Sequence, residues 1–356
     1  MRTDSPRNEP HTPAEPQRHR EHRATNLRVS VSLWFVIATL AAFLGPLDAQ
    51  QGAPLARVPI PPALDAEKTA IEIVPVQGNV SMLAGPGGNV TVQAGPDGVV
   101  LVDTQFAPAA AKVFQAIATL SGSPIHTIIN THFHADHTAA TGALVKMRGA
   151  GPQAVRVMAH DNVLLRMQQA SAAGAQSSAE LRINQAVVLP VTSTYFTPSR
   201  DFFLNGEAVF LHHMPAAHTD GDTIVHFRKS DVVSAGDVFT PELYPVIDVQ
   251  NGGSVNGVIA ALNRILEITV PARYQEGGTY VIPGHGRLCD EADVVEYRDM
   301  VTIIRDRVQD MVNRKMTLEQ VKAARPTRDY DAEYGSNSGA WTTDMFVEAV
   351  YRSVRK

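Results

Sequence analysis

Residues 131–137 read THFHADH, so three of the chain's 13 histidines (His132, His134 and His137) and the carboxylate of Asp136 fall within six positions. In an extended segment, side chains two apart share a face, so His132 and His134 can address one ion. Asp136 and His137 come after the chain begins to turn and can address a second. A lone histidine is usually a core or surface residue. Three of them with an aspartate at these spacings predict a metal site.

Counting ligands extends the prediction along the chain. A tetrahedral catalytic zinc wants about three protein ligands plus water, so four residues cannot serve two ions. More ligands are therefore expected at the ends of other strands. His218 follows the apolar run EAVFLHHMP, Asp237 ends DVVSAGD, and His285 follows TYVIP. All four segments come after runs with β-strand composition, so they can meet on one rim of a sheet. His212, His213 and His226 fit no such pattern, and His226, inside TIVHF, reads as core.

Around these segments the chain alternates between sheet and helix patterns. IEIVPV, NVSMLAGPGG and NVTVQAGPDGVVLVD, with β-branched residues and Gly/Pro turns, predict an antiparallel meander. APAAAKVFQAIATL predicts a helix over 107–120, and HTIIN a strand. In the second half, strands are expected at AVRVMAH, EAVFLHHMP, TIVHF, DVVSAGD and TYVIPGHG, and helices at GVIAALNRILEI and over 290–315. The latter has acidic residues in its first turn and Arg and Lys in its last. TLEQVKAARP and WTTDMFVEAVYRSV predict two further packing helices. The stretch 161–201 is the least regular, a candidate lid or surface insertion. The pattern implies a layered α/β domain over 69–289 with a helical extension, 290–356.

The start of the chain is different. Residues 1–28 hold six Arg, four acidic residues and three His with almost nothing apolar, which predicts a disordered basic leader. VSVSLWFVIATLAAFLG (Val29–Gly45) carries no charge and is followed by PLDAQQ, the layout of a secretory signal over 29–49 with cleavage after Ala49. Seventeen residues also sit at the short end of the ~17–25 that cross a bilayer, so a membrane anchor is the alternative. A Pro-rich linker, 50–68, follows. The expectation is an exported protein, periplasmic or secreted, whose contact with a membrane is limited to that anchor.

From Gln50 onward the net charge is −6, against −5 for the whole chain, so no basic surface for nucleic acid is implied and the expected partner is a small-molecule substrate. The sequence carries no sign of an oligomeric state. A single cysteine, Cys289, excludes an internal disulfide and a multi-thiolate zinc cage, so metal must be held by His and carboxylate.

THFHADH followed in order by AAHTDGD, SAGD and PGHG resembles the metallo-β-lactamase superfamily, over about Ile71 to His285. The resemblance implies a four-layer αββα sandwich with a dinuclear site at its edge, normally two Zn2+, with Fe or Mn as alternatives. It makes His132, His134 and His218 the ligands of the first metal and Asp136, His137 and His285 those of the second. Asp237 becomes the carboxylate that bridges both. Two cations sharing a water acidify it toward neutral pH, so the expected nucleophile is a metal-bound hydroxide, with one ion polarising the substrate's oxygen. Asp136 is a ligand that can also orient that water or pass on its proton.

Smaller expectations surround these. Asp103, ending VVLVD, is read as a support for a ligand histidine or as a strand-end cap. Thr219, Asp220 and Asp222 are expected to shape the loop around His218. Tyr244 has two readings, a donor to a developing oxyanion or an edge-strand tyrosine.

Departures within the superfamily narrow the reaction. β-Lactamases of this broad type generally lack the bridging Asp, whereas Asp237 is similar to the pattern of thioesterases of the glyoxalase II kind, lactonases and phosphodiesterases. His134 stands where the flavin-linked oxygen reductases carry Glu, and no large nuclease domain is visible. The leading expectation is an exported dinuclear zinc hydrolase that cleaves an ester, lactone, thioester or amide. The alternatives are a β-lactam-hydrolysing enzyme and a mononuclear iron enzyme like the persulfide dioxygenases.

Overall fold

In a computed structural model of the protein, residues 66, 68–147, 154–172, 191–274 and 277–355 are described, all within the unit Leu55–Lys356. The leader, the signal or anchor and nearly all of the linker lie outside them. No helix of the described residues is long and apolar enough to cross a membrane.

The predicted meander is present. β1 (Glu72–Gln77), β2 (Val80–Ala84), β3 (Val90–Gly95) and β4 (Gly98–Val102) pair antiparallel in sequence order. Parallel to β4 run β5 (Ile125–Ile129), β6 (Arg156–His160) and β7 (Ser193–Tyr195), which complete a seven-stranded sheet. A second, five-stranded sheet has β8 (Ser199–Leu204), β9 (Glu207–Met214), β10 (Asp222–Phe227) and β11 (Val232–Gly236) antiparallel, with β12 (Tyr280–Pro283) parallel to β11.

Hydrophobic alternation explains the layers. Val80, Met82, Val100, Val102, Ile129 and Met158 of the first sheet meet Val209, Leu211, Val225, Phe227, Val232 and Ile282 of the second, and all are buried. Their neighbours on the first sheet's outer face, Val90, Val92, Leu101 and Ile128, pack on the helices Ala110–Leu120 and Thr141–Met147. The second sheet's outer face is covered by the helices Val255–Ile268, Glu291–Asn313 and Thr343–Val354. The architecture is the four-layer αββα sandwich, with the C-terminal helices forming part of its outer layer.

Local signals place most boundaries. Ser254 caps the Val255–Ile268 helix by accepting from Gly257 N, and Asp290 with Asp293 forms a capping box before Glu291. That helix ends at Asn313, so Arg314 and Lys315 lie just beyond its last turn, which contains no basic residue. The irregular stretch 161–201 contains the helix Asp161–Ala172, the strand β7 and the first half of β8, while 173–190 lie outside the described residues. Short strands in polar sequence lack the alternation that would reveal them.

Candidate functional site

Every expected ligand comes from a loop at the C-terminal end of a strand. THFHADH leaves β5, His218 lies four residues after β9, Asp237 directly follows β11, and His285 comes two residues after β12. THFHADH is bent rather than extended. After the bends at Thr131–Phe133, His134 (φ −63°, ψ 146°) caps a short helix, Ala135–Thr138, that carries Asp136 and His137. Strand-like alternation is therefore not what brings His132 and His134 together, although their rings lie 4.8 Å apart.

Two groups result. In the first, His132, His134, His218 and Asp237 have candidate ligand atoms within 4.8 Å of one another, and in the second so do Asp136, His137 and His285. His218 Nε2 lies 2.9 Å from His134 Nδ1, and His137 Nε2 lies 3.2 Å from His285 Nε2. Asp237 stands between the groups. Its Oδ2 is 3.8 Å from His132 Nε2 and 3.7 Å from His218 Nε2, and its Oδ1 is 3.1 Å from His137 Nε2 and 3.6 Å from His285 Nε2.

These side chains fit metal ions. Tetrahedral ligands about 2.0–2.1 Å from zinc stand roughly 3.4 Å apart, close to the separations seen. His132 Nε2 and Asp237 Oδ1 are buried and make no hydrogen bond, an arrangement that is costly unless a cation fills it.

The far nitrogens are held by the protein, which decides which nitrogen faces the centre. His132 Nδ1 meets Thr131 Oγ1 at 3.0 Å, and His218 Nδ1 meets the Val246 carbonyl at 2.7 Å. His134 Nε2 is 3.2 Å from Asp248 Oδ2, which leaves Nδ1 facing inward. His137 Nδ1 lies 2.8 Å from Asp103 Oδ2, and Asp103 also accepts from Thr131 N and Thr131 Oγ1. Asp103 thus holds His137, a candidate ligand, and it does so from a left-handed backbone (φ 62°). Exchanging it for Asn should weaken binding of the second ion about 10- to 100-fold, measured by competition with a chromogenic chelator; an unchanged affinity would remove Asp103 from the site.

Two motif glycines have mechanical reasons. Gly236, just before Asp237, has φ +57° with Thr131 packed against it, and a Cβ on Gly284, just before His285, would strike Asp237 Oδ1.

Burial and charge set the protonation states. Burial pushes His132 well below its ordinary value and His218 down to about 4, with neighbouring imidazoles adding to it. Burial acts the same way on His137 and His285, but the carboxylates of Asp237 and Asp136 outweigh it and raise both. Burial would lift Asp136 and Asp237, yet His137 and His285 hold Asp136 at about 2 and Asp237 well below the carboxylate range.

Around His218, Thr219 N and Oγ1 donate to the buried Asp222, whose carboxyl burial pushes up to about 8. Asp220 instead pairs with Arg166, which ties the Asp161–Ala172 helix to this loop. His226 is buried, in keeping with a core role. Tyr244 is neither an oxyanion donor nor an edge-strand residue. It is 1% exposed, and its hydroxyl donates to the Thr327 carbonyl and Asp331 Oδ1, because the chain after Asp237 turns into the C-terminal helices.

The centre opens into a cleft of about 900 Å³. His134, Asp136, His218, Asp237 and His285 form one end, and residues from the loop after Asp237 and from 336–352 form its walls. No described residue of 161–201 lines it. Sequence reasoning missed Asp248, which no motif spacing marks, and missed that the C-terminal segment reaches the site.

Among curated proteins, the chain is 25% identical over 176 residues to the 2,4-dinitroanisole O-demethylase subunit alpha of Nocardioides sp. (strain JS1661), covering 49% of this chain and 48% of that one. It thus spans about half the length of that relative. Among solved structures, the inverting sec-alkylsulfatase Pisa1 from Pseudomonas sp. is similar with a TM-score of 0.55 and 17% identity, over 79% of this chain and 50% of that one. A metallo-beta-lactamase from Pontibacter korlensis matches 65% of this chain and 99% of its own at a TM-score of 0.49 and 14% identity. The metallo-beta-lactamase superfamily profile matches residues 83–285, more than half of the chain and inclusive of every residue of both clusters, so the chain belongs to the metallo-beta-lactamase superfamily.

Proposed function

We propose that the protein is a hydrolase with a dinuclear centre, zinc in both positions, that cleaves an ester, lactone, thioester or amide. The observation that carries this reading is Asp237, which turns one carboxylate oxygen toward each group of ligands. His132, His134 and His218 would hold one ion, and Asp136, His137 and His285 the other. When bound, the ions supply an acidified water as nucleophile and an electrophile for the substrate's oxygen.

The chain's own residues do the rest. Asp103 and Asp248 fix the imidazoles of His137 and His134 so that the correct nitrogens face inward. Asp136 lines the cleft, stays ionised and lies 3.2 Å from His285 Nε2, so it can orient a water there and accept its proton. Export through residues 29–49 belongs to the same proposal, and mass spectrometry of exported protein should find Gln50 at its N-terminus. Met1 in its place would favour the anchor.

The raised His137 and His285 give the metals a pH signature. An imidazole held protonated must lose its proton before it can ligate, so acid competes with the second ion first. Its affinity should fall steadily as pH drops, because both imidazoles are held toward their protonated forms. The first group should resist until nearer the value of His218, about 4. Chelator competition between about pH 3 and 8 would show this as two separated losses, and a single simultaneous loss would contradict it.

The activity test uses zinc-loaded full-length protein against a nitrophenyl ester, a γ-lactone, a chromogenic cephalosporin and 2,4-dinitroanisole, the last taken from the relative's name. Chelator-sensitive turnover of the ester or lactone supports the reading. Turnover of the cephalosporin alone would make it a β-lactamase, and a preparation that holds one iron and no second metal would defeat it.

A further inference from the structure

Beyond the metals, the cleft is defined by residues that the family profile does not reach. The match ends at residue 285, whereas Ser336, Ala340, Trp341, Met345 and Ala349 line the cleft from the C-terminal extension. Leu243, Val246, Ile247 and Val249 of the loop after Asp237 and Phe106 after β4 add to this lining. Leu243 and Met345 are 43% and 42% exposed, a cost for large apolar side chains unless something apolar covers them in use.

The charged groups in the same lining all have polar partners. Arg352 Nη2 lies 2.5 Å from Glu348 Oε1, and Glu348 Oε2 lies 2.9 Å from Lys322 Nζ. Asp248 is engaged by His134 and by Asn251. Away from the metal ligands, the lining's charge is confined to Asp248, Glu348 and Arg352, and an ionic group set against the apolar residues would lose water without gaining a counterion. A cleft of about 900 Å³ is large for an acetyl-sized group and suits an acyl or leaving group of drug-like bulk.

The wall is firmly built. The helix Thr343–Val354 starts with Thr342 accepting from Met345 N, and Phe346 on it stacks on Tyr244 with ring centroids 4.6 Å apart. Tyr244 N donates to the Tyr334 carbonyl, and the Tyr297 hydroxyl donates to the Leu243 carbonyl. The loop after Asp237 and the C-terminal extension therefore form one packed surface that faces the metal end.

We propose that this surface selects substrates whose group beside the cleaved bond is uncharged, apolar and bulky, with Trp341, Met345, Leu243 and Val249 covering it. The proposal rests on the hydrolase reading for where the cleaved bond sits, and its test separates the two. The sequence has two tryptophans, Trp34 and Trp341, so the full-length W34F protein reports from the cleft alone. Zinc-loaded W34F is titrated with 2-alkanones of four to ten carbons, ester analogues without a leaving group, and Trp341 emission is followed.

Affinity should rise about threefold to fourfold per added methylene. Met345→Glu, at an exposed position that tolerates the change, should cut the gain across the series at least tenfold. Loss of chain-length dependence in W34F, or an unchanged dependence in Met345→Glu, would overturn the proposal. Tighter binding of keto acids with a carboxylate at the far end would also overturn it, in favour of an acidic substrate held by Arg352. Ester hydrolysis at equal kcat/KM for acetate and octanoate would remove the proposal and leave the hydrolase intact. Chain-length-dependent ketone binding without any metal-dependent hydrolysis would do the reverse.

Discussion

Asp237→Ala should reduce kcat/KM by about a thousandfold or more and lower bound metal from two ions per chain toward one. Asp237 is 8% exposed and directs Oδ2 to the first ligand group and Oδ1 to the second. Without it both groups lose a shared anion, and the second keeps only Asp136, His137 and His285 to offset a divalent charge. The several kcal/mol that a correctly held ion contributes to a hydrolytic transition state correspond to the expected loss of rate. The metal-free fold should lose stability too, because the raised imidazoles of His137 and His285 would be left without this buried counterion. The pH dependence of that loss has a definite sign. His137, raised by the nearby carboxylates, contributes stability that is fully present below its unfolded value of about 6.5 and is lost as pH rises through its folded value. Asp237→Ala should therefore destabilise the metal-free protein more at pH 6 than at pH 9. Metal analysis after dialysis and thermal scans at both pH values test this, and equal metal content in mutant and parent would withdraw the bridging role.

Tyr244→Ala should destabilise the protein by about 3–5 kcal/mol, a fall of roughly 6–15 °C in Tm. Its ring is almost fully buried and stacked on Phe346 within 6° of parallel, so truncation leaves a cavity between the loop after Asp237 and the C-terminal helices. The hydroxyl matters less. Tyr244→Phe removes the donor to the Thr327 carbonyl and Asp331, while Asp331 keeps Arg325 at 3.2 Å, so about 1 kcal/mol is expected. Both variants should retain two metals, since Tyr244 touches no ligand. A Tyr244→Ala protein as stable as the parent would show that the C-terminal extension is held by other contacts.

The link between Tyr244 and the extension also explains why that residue misled a reading of the sequence. Its position shortly after Asp237 suggested the reaction centre, but the chain turns away at Thr240–Tyr244 and carries the ring into the helical layer. Sequence proximity to a ligand sets the position of the Cα and leaves the direction of the side chain to the packing around it.

The sequence by itself determined a layered α/β domain and, through its resemblance to the superfamily, the sandwich and the candidate ligands. Apolar runs of strand length ending in His or Asp are local features, and a metal centre demands specific donors whose spacing survives in the string THFHADH and in the later single residues. For Asp103 the sequence left two readings open, a support or a strand-end cap, and the contact with His137 decided between them. What only the tertiary structure decided are the relations between distant segments. Asp248 meets His134 across 114 residues, and the loop after Asp237 meets residues 327–346 through Tyr244. The apolar wall of the cleft depends on the same long-range packing, and no local pattern encodes it, since a helix that lines a cleft and one that fills a core share the same 3.6-residue period.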